Sequence, residues 1–302
     1  MDWFPLLSDI RQNTGLSITN ASTIKRIGGG DIHQAYHLHT PEADFFLKLN
    51  HAEALSLFES EADSLKAIAN SQTVTCPTPI GFGIADRAQK AWLLMEYIPL
   101  TSKGDDFQRG QAIAMLHHTL NRSENGQLAP KPFGWHQDNF IGHTPQLNAW
   151  HSDWVSFYAQ QRLKPQLNWA KQKGAPTQLL QLGNQLIEIL PQFFTSYKPE
   201  PSLLHGDLWG GNSAFIANGD PVIYDPACYY GDRETDIAMT ELFGGFSDAF
   251  YAGYNQIFPL DAGYPQRRPL YQLYPILNHF NLFGGHYAQQ AIRMMQSLLT
   301  AD

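Results

Sequence analysis

The sequence predicts an α+β chain of two lobes: a small N-terminal lobe (residues 1–98) on a five-stranded antiparallel sheet, and a larger, mainly helical C-terminal lobe (99–302). Three observations predict it. Short apolar runs separated by glycine and proline turns fill the N-terminal third and stop at Ile98-Pro99. From Asp105 onward, apolar residues recur at helical spacing. Late in that helical part, Leu204-His205-Gly206-Asp207-Leu208-Trp209-Gly210-Gly211-Asn212 and the strand ending in Asp225 break the periodicity with polar residues set between apolar ones.

In chain order, Trp3, Leu6, Leu7 and Ile10 recur at helical spacing and Thr14-Gly15 closes a short packing helix. Two strand patterns within Ile24–Leu38 flank Gly28-Gly29-Gly30, whose backbone can turn tightly and bring N–H groups close to a phosphate. Asp31, beside the glycines, suits a phosphate only if it points away. The next strand, Asp44–Asn50, carries one lysine, Lys48, on the face shared with Phe46 and Asn50. Ala54–Ile68 reads as a helix with Phe58, Leu65 and Ile68 on its apolar face; Glu61 flanks that face, and Glu59 is the alternative carboxylate. Glycine hairpin, strand lysine and helix glutamate, in this order, match the arrangement in which lysine holds the α- and β-phosphates of a nucleotide and glutamate orients it. Strands at Pro79–Ile84 and Ala91–Ile98 complete the sheet, so that Met95 would back an adenine pocket while backbone groups of Glu96 and Ile98 meet the base edge.

Phe107, Ala112, Met115, Leu116 and Leu120 form the apolar stripe of the first helix of the larger lobe; His117-His118 suit a helix end or packing rather than catalysis. Residues 122–149 form a long polar connection carrying Phe133–Gly142, and Asp138 with Asn139 there are candidate acceptor contacts. Helices at about 150–164 and 177–195 lead to the polar stretch, and the region from about 247 to 300 is helical, with Tyr271, Tyr274, Leu277, Phe280 and Leu282 marking buried faces.

The chemistry concentrates in Asp207, Asn212 and Asp225. A carboxylate, an amide five residues later and a carboxylate after the next strand are what phosphoryl transfer requires. In that arrangement Asp207 accepts the proton of the acceptor hydroxyl, while Asn212 and Asp225 hold Mg²⁺ against the triphosphate. Trp209 is a further candidate acceptor contact, and Gly210-Gly211 would let a bulky acceptor approach Asp207. Asp236, at a helix start, reads as a cap or a brace for the catalytic loop. Residues 205–248 contain eight acidic residues and one basic residue, a field that suits a metal and a cationic acceptor.

Composition bounds the alternatives. With 43% hydrophobic and 16% charged residues the chain is an ordinary folded protein. A net charge of -8 argues against a nucleic-acid or anionic-membrane partner. No apolar run is long enough to span a bilayer and the N-terminus lacks a signal-peptide pattern, so a cytoplasmic protein is expected. Cys76 and Cys228 read as packing residues, and no histidine spacing predicts zinc.

The ordered set Gly28-Gly29-Gly30, Phe46-Leu47-Lys48, Phe58–Glu61, Leu94–Tyr97, Phe133-Gly134-Trp135, Asp138–Gly142, Pro145-Gln146-Leu147-Asn148, His205–Asn212 and Asp225-Pro226-Ala227 resembles the fructosamine kinase (ketosamine-3-kinase) family over essentially the whole chain. His-Gly-Asp followed by Asn also fits aminoglycoside phosphotransferases and choline kinases; Trp-Gly-Gly-Asn, Asp-Pro-Ala and Pro-Gln-Leu-Asn point to the ketosamine branch. The resemblance implies a bilobal protein-kinase-like fold and transfer of the ATP γ-phosphoryl to the 3-hydroxyl of a ketosamine, either a small molecule or a glycated protein. The phosphorylated product falls apart and frees the amine, which is deglycation. Asp31 and His33 stand where many relatives carry small or hydroxyl residues. Another small-molecule kinase of this group and a non-catalytic pseudokinase are the rival readings.

Overall fold

The computed structural model describes residues 3–18, 22–28, 33–118, 132–244 and 246–300. Gly29, Gly30, Asp31 and Leu120 lie outside them, as do residues 122–131 of the long connection. Two compact units divide the chain: 1–105 with 213–226, and 106–212 with 227–302. This division differs from the single cut expected at 98/99 in two respects: the boundary falls at 105/106, and the short hairpin 213–226 belongs with the N-terminal unit.

The first unit opens with helix α1 (Phe4–Thr14), which Pro5 starts and Gly15 ends in the left-handed conformation, with its N–H on Arg11 O at 2.9 Å. Strands β1 (Thr23–Ile27), β2 (Gln34–His39) and β3 (Asp44–His51) are followed by helix α2 (Leu55–Ser71) and strands β4 (Pro79–Ala85) and β5 (Lys90–Glu96). The sheet order is β1-β2-β3-β5-β4, and every pair is antiparallel. Period-2 alternation gives β3 two working faces. Phe45, Leu47 and Leu49 join Leu6 and Ile10 of α1, Leu38, Trp92 and Leu94 in one buried cluster. Fully burying Leu6 and Ile10 is worth about 1.5–3 kcal/mol each, enough to dock a helix of this length. The alternate residue Lys48 stands on the opposite face, in register with Leu93.

The second unit begins with α3 (Asp106–His118) and continues, after a small hairpin of β6 (Asn139–Ile141) and β7 (Thr144–Gln146), through α4 (Trp154–Phe157), a π-helical turn (Tyr158–Leu163), α5 (Lys164–Gln172) and α6 (Thr177–Ile189). Strand β8 (Ser202–Leu204) leads to the polar stretch. There the chain enters the first unit as β9 (Ser213–Phe215) and β10 (Pro221–Ile223), joined to it by bridges Thr101–Phe215 and Thr75–Val222. It returns as β11 (Tyr229–Gly231), antiparallel to β8, and finishes in α7 (Glu234–Thr240), α8 (Asp248–Ile257), α9 (Tyr264–Phe283) and α10 (Tyr287–Thr300).

Helices α3 and α8 cross unusually closely. A Cβ on Gly110 of α3 would lie 2.0 Å from Phe250 O, and one on Gly253 of α8 would lie 2.0 Å from Phe107 O. This crossing corrects the expected face of α3: Gly110, Ile113, Ala114 and His117 are buried with Ala112 and Leu116, while Met115 is exposed. Of the expected markers in α9, Tyr271, Tyr274, Leu277 and Phe280 are buried and Leu282 is half-buried. Both cysteines are free and buried, and no helix among the described residues is long and apolar enough to cross a membrane.

Candidate active site

In the first unit the site is built around Lys48. Its Nζ donates to Glu61 Oε1 at 2.7 Å and to Asp225 Oδ1 at 2.6 Å, with Lys48 and Glu61 both buried. The choice left open on α2 is thus resolved: Glu61 shares the inward face with Phe58 and Leu65, whereas Glu59 is exposed. Asp225 ends the stretch after β10 in the left-handed conformation (φ 57°), a region a non-glycine residue occupies at some cost and Asp tolerates better than most. Its side chain remains 47% exposed while one oxygen holds the lysine. One cation serves two carboxylates. Burial opposes the charge on Lys48, but Asp225 and Glu61 together hold its pKa above the ordinary lysine value. Glu61 is raised as well, here against its charge: burial, reinforced by the Asp225 charge and only partly offset by Lys48, pushes it up to about 7.

The other expected nucleotide contacts of this unit are placed as follows. A Cβ on Gly28 would meet nothing within 4 Å. His33 bonds Asn50 (2.9 Å) and lies against the Phe58 ring (4.8 Å between centroids), on the Lys48 face. Met95 is buried at the end of β5, and the Glu96 N–H donates to Thr78 O at 2.9 Å, so any base contact by Glu96 falls to its carbonyl. Ile98 is half-buried after β5.

In the second unit Asp207 and Asn212 are brought together. Asn212 Nδ2 donates to Asp207 O (2.9 Å) and Asp207 Oδ2 (3.0 Å), which fixes the rotation of the carboxylate and turns the Asn212 carbonyl oxygen away from it. Asp207 is half-buried, at the end of a segment braced from behind. The Asp236 carboxylate accepts the His205 N–H (2.7 Å) and the Gly206 N–H (2.9 Å), as the brace reading of that residue expected. Burial raises the Asp236 pKa, but the hydrogen bonds from His117 and from the Gly206 N–H help to reverse it, leaving it below the usual carboxylate value. Gly206 has φ 84° and no room for a side chain, since a Cβ would lie 2.0 Å from Ala227 O.

His117 is a residue that helical patterning missed. It is 2% exposed, with Nδ1 2.8 Å from Tyr254 Oη and Nε2 3.1 Å from Asp236 Oδ2. Arg233 donates to that tyrosine oxygen (3.2 Å) and to Phe258 O (2.7 Å). The tyrosine hydrogen is then directed to His117 Nδ1, which leaves Nε2–H to donate to Asp236. A histidine beside the apolar positions of a predicted helix was the available signal; its partners lie 119 and 137 residues further along the chain.

The expected acceptor contacts fare unevenly. Trp209 is exposed and meets Phe243 edge-on, with centroids 6.4 Å apart. A Cβ on Gly211 would lie 2.2 Å from the indole, so this glycine makes room for Trp209 itself, whereas a Cβ on Gly210 would meet nothing within 4 Å. Asp138 is exposed, with Oδ1 accepting the Asn148 N–H at 2.7 Å. Asn139 is corrected outright. It is 2% exposed, donates to Cys228 O (2.8 Å) and accepts from Gln146 (2.9 Å) and Asn148 (2.9 Å), so its amide is committed to the interior.

Among the described residues no group of three His, Cys, Asp or Glu could hold a metal by itself. Magnesium is ordinarily held by one or two carboxylates together with substrate phosphates, and an exposed Asp225 and the Asn212 carbonyl oxygen are hard oxygen donors of the required kind.

The five-stranded antiparallel sheet with its lysine–glutamate pair, followed by a mainly helical unit bearing the aspartate–asparagine loop, is a kinase-like fold, shared with aminoglycoside phosphotransferases. A crystal structure assigned as a fructosamine-3-kinase from Haemophilus somnus 129PT superposes with a TM-score of 0.83 at 27% identity, covering 98% of this chain and 97% of that one. The fructosamine kinase family model matches residues 5–301, and the chain belongs to that family. A "Probable ketoamine kinase" of Vibrio parahaemolyticus is 44% identical over 269 residues, 88% of each chain. The chloroplastic protein-ribulosamine 3-kinase of Arabidopsis thaliana is 39% identical over 282 residues, 93% of this chain and 84% of the plant protein.

Proposed function

We propose that the chain is an ATP-dependent ketosamine 3-kinase, acting on fructosamines or ribulosamines as free small molecules or on glycated proteins, and thereby freeing the amine. The observation that carries the reading is the lysine shared between Glu61 and Asp225: a strand cation, a helix carboxylate and a carboxylate 177 residues away converge on one atom, Nζ. Family membership supports the ketosamine as acceptor.

In the proposed mechanism Lys48, oriented by Glu61, holds the α- and β-phosphates of ATP. Asn212 and Asp225 would hold Mg²⁺, which when bound neutralises charge on the triphosphate. Asp207, its rotation fixed by the Asn212 amide, accepts the proton of the sugar 3-hydroxyl as the new O–P bond forms and the bond to the ADP oxygen breaks. Asp236 holds the backbone behind Asp207, so the base needs no rearrangement to meet the acceptor. The remaining sites are proposed on the same footing: Gly28, Gly29 and Gly30 at the phosphates, Met95, Glu96 and Ile98 at the adenine, and Trp209 and Asp138 at the acceptor. A cytoplasmic location is proposed with them.

The test is turnover with MgATP on fructosyl-lysine, ribulosyl-lysine, choline and kanamycin, read as both ADP formed and amine freed. The reading expects the two ketosamines to exceed the others in kcat/KM by about a hundredfold or more, a difference of about 2.7 kcal/mol in transition-state binding. Preference for choline or kanamycin would replace the acceptor class, and no ADP with any acceptor would favour a pseudokinase.

A further inference from the structure

We propose that Gln146 is a positioning residue for this transfer, fixing the Ala227 peptide that ties the base-bearing segment His205–Asp207 in place; the inference rests on the kinase reading above. Gln146 ends β7 and is 1% exposed. Its Nε2 donates to Asn139 Oδ1 (2.9 Å) and to Ala227 O (3.1 Å), and its Oε1 accepts from the Tyr274 hydroxyl (2.9 Å). The orientation of the amide is determined by its surroundings. Cys228 O can only accept, so Asn139 presents its nitrogen there and its oxygen to Gln146, and Gln146 must answer with its nitrogen.

The same amide ladder is locked at its far end. Asn148 donates to Asn139 Oδ1, and Arg162, fully buried on the π-helical turn, donates to Asn148 Oδ1 (2.8 Å) and Leu147 O (2.5 Å) with its guanidinium 3.9 Å over the Tyr229 ring. At its near end the Ala227 peptide is held from both sides. Its carbonyl takes Gln146 and lies against Gly206, while its N–H donates to His205 O at 2.8 Å. The Asp207 N–H in turn donates to His205 Nδ1 at 3.2 Å. Position passes from Gln146 to Ala227, from Ala227 to His205 and Gly206, and from them to Asp207. Small misplacements of a reacting group cost large factors in rate. Lys48, Glu61 and Asp225 belong to the other compact unit and keep their mutual contacts, so turnover should fall by far more than any change in MgATP binding passed on through Asn212.

The experiment compares wild type, Gln146→Met and Gln146→Glu with fructosyl-lysine and MgATP. Gln146→Met keeps the bulk and loses the donor; kcat should fall by about 30-fold or more with KM for MgATP within about twofold. Gln146→Glu supplies a pH readout. As an anion it faces Ala227 O and Asn139 Oδ1 with an acceptor, and when protonated it regains one donor, so its kcat relative to wild type should rise as pH falls. Tyr274, which bonds it, and the Arg162, Tyr229 and Asp207 that act on Tyr274 are the charged or titratable groups around it. Both variants within about twofold of wild type at every pH, or a matching rise in KM for MgATP, would overturn the inference. If Gln146→Met does not fold, Tyr274→Phe removes only the hydroxyl holding Oε1: a lowered kcat at constant MgATP affinity supports the inference and an unchanged kcat refutes it. Hydrogen exchange at residues 205–207 gives an arm independent of activity. Protection should drop about tenfold or more in Gln146→Met, and unchanged protection would refute the inference even if the wild-type protein, contrary to the proposed function, turned over no ketosamine.

Discussion

Glu61 is the residue in which burial and charge compete most openly. It is buried beside a lysine already claimed by Asp225, and its pKa is pushed up to about 7 by burial first and by the Asp225 charge second, against the pull of Lys48. The folded value lies above the unfolded carboxyl value of 4.5, so between about 4.5 and about 7 the native state holds a proton that the unfolded chain has lost. Its contribution to stability is therefore greatest below that window and declines as pH rises through it, by at most on the order of 3 kcal/mol. Glu61→Gln removes the titration. The variant's melting temperature should fall less than that of wild type between pH 5 and pH 7.5, and parallel profiles would show that Glu61 does not titrate there. Its partner was legible in the sequence because strand alternation put Lys48 opposite the apolar surface and helical spacing put Glu61 beside Phe58. The place of Asp225 on the same lysine was not, since a contact across 177 residues leaves no local pattern.

At the scale of elements, α3 shows where patterning stops. An apolar stripe through Met115 was the natural reading, but packing is set by two glycines that bring α3 and α8 backbone to backbone, and Met115 faces outward. The close crossing also carries a purpose: it places His117 of α3 against Tyr254 of α8 and Asp236 of α7, behind the loop that bears Asp207. Gly110→Ala, whose methyl would need to displace the Phe250 carbonyl, should destabilise the protein by about 3 kcal/mol or more and lower kcat in the fraction that remains folded. Denaturant unfolding checks the first effect; a loss below about 1 kcal/mol would mean the helices can part cheaply. In the connection 122–149, Asp138 and Asn139 read as acceptor contacts, whereas Asn139, Gln146 and Asn148 form a buried ladder of amides, with Gln146 on the Ala227 carbonyl. Amides that hold backbone from within and amides that face a ligand look alike in a sequence.

For the whole molecule, strand alternation, the stop at Ile98-Pro99 and the spacing of Asp207, Asn212 and Asp225 reach the fold and phosphoryl transfer, while the family is reached only through the resemblance carried by Trp209-Gly210-Gly211-Asn212, Asp225-Pro226-Ala227 and Pro145-Gln146-Leu147-Asn148. Of the eight acidic residues in 205–248, Asp232, Glu234 and Asp236 are buried and partnered, Glu234 by a bidentate Arg267 from α9. Local charge counting therefore overstated the field offered to an acceptor, because the compensating cation lies outside the counted segment. The division of the chain was also beyond local reading: β9 and β10 join the first unit by bridges to Thr101 and Thr75. Phosphoryl transfer to a ketosamine hydroxyl with Asp207 as base has a direct chemical signature. Phosphorus NMR of fructosyl-lysine with MgATP tests it most directly. The wild-type protein should give one sugar phosphomonoester per ADP, followed by inorganic phosphate and free lysine, while Asp207→Asn, still binding MgATP by calorimetry, should form the ester about a thousandfold more slowly or worse. An ester formed by Asp207→Asn at the wild-type rate, or ADP released by the wild-type protein with no phosphomonoester, would contradict it.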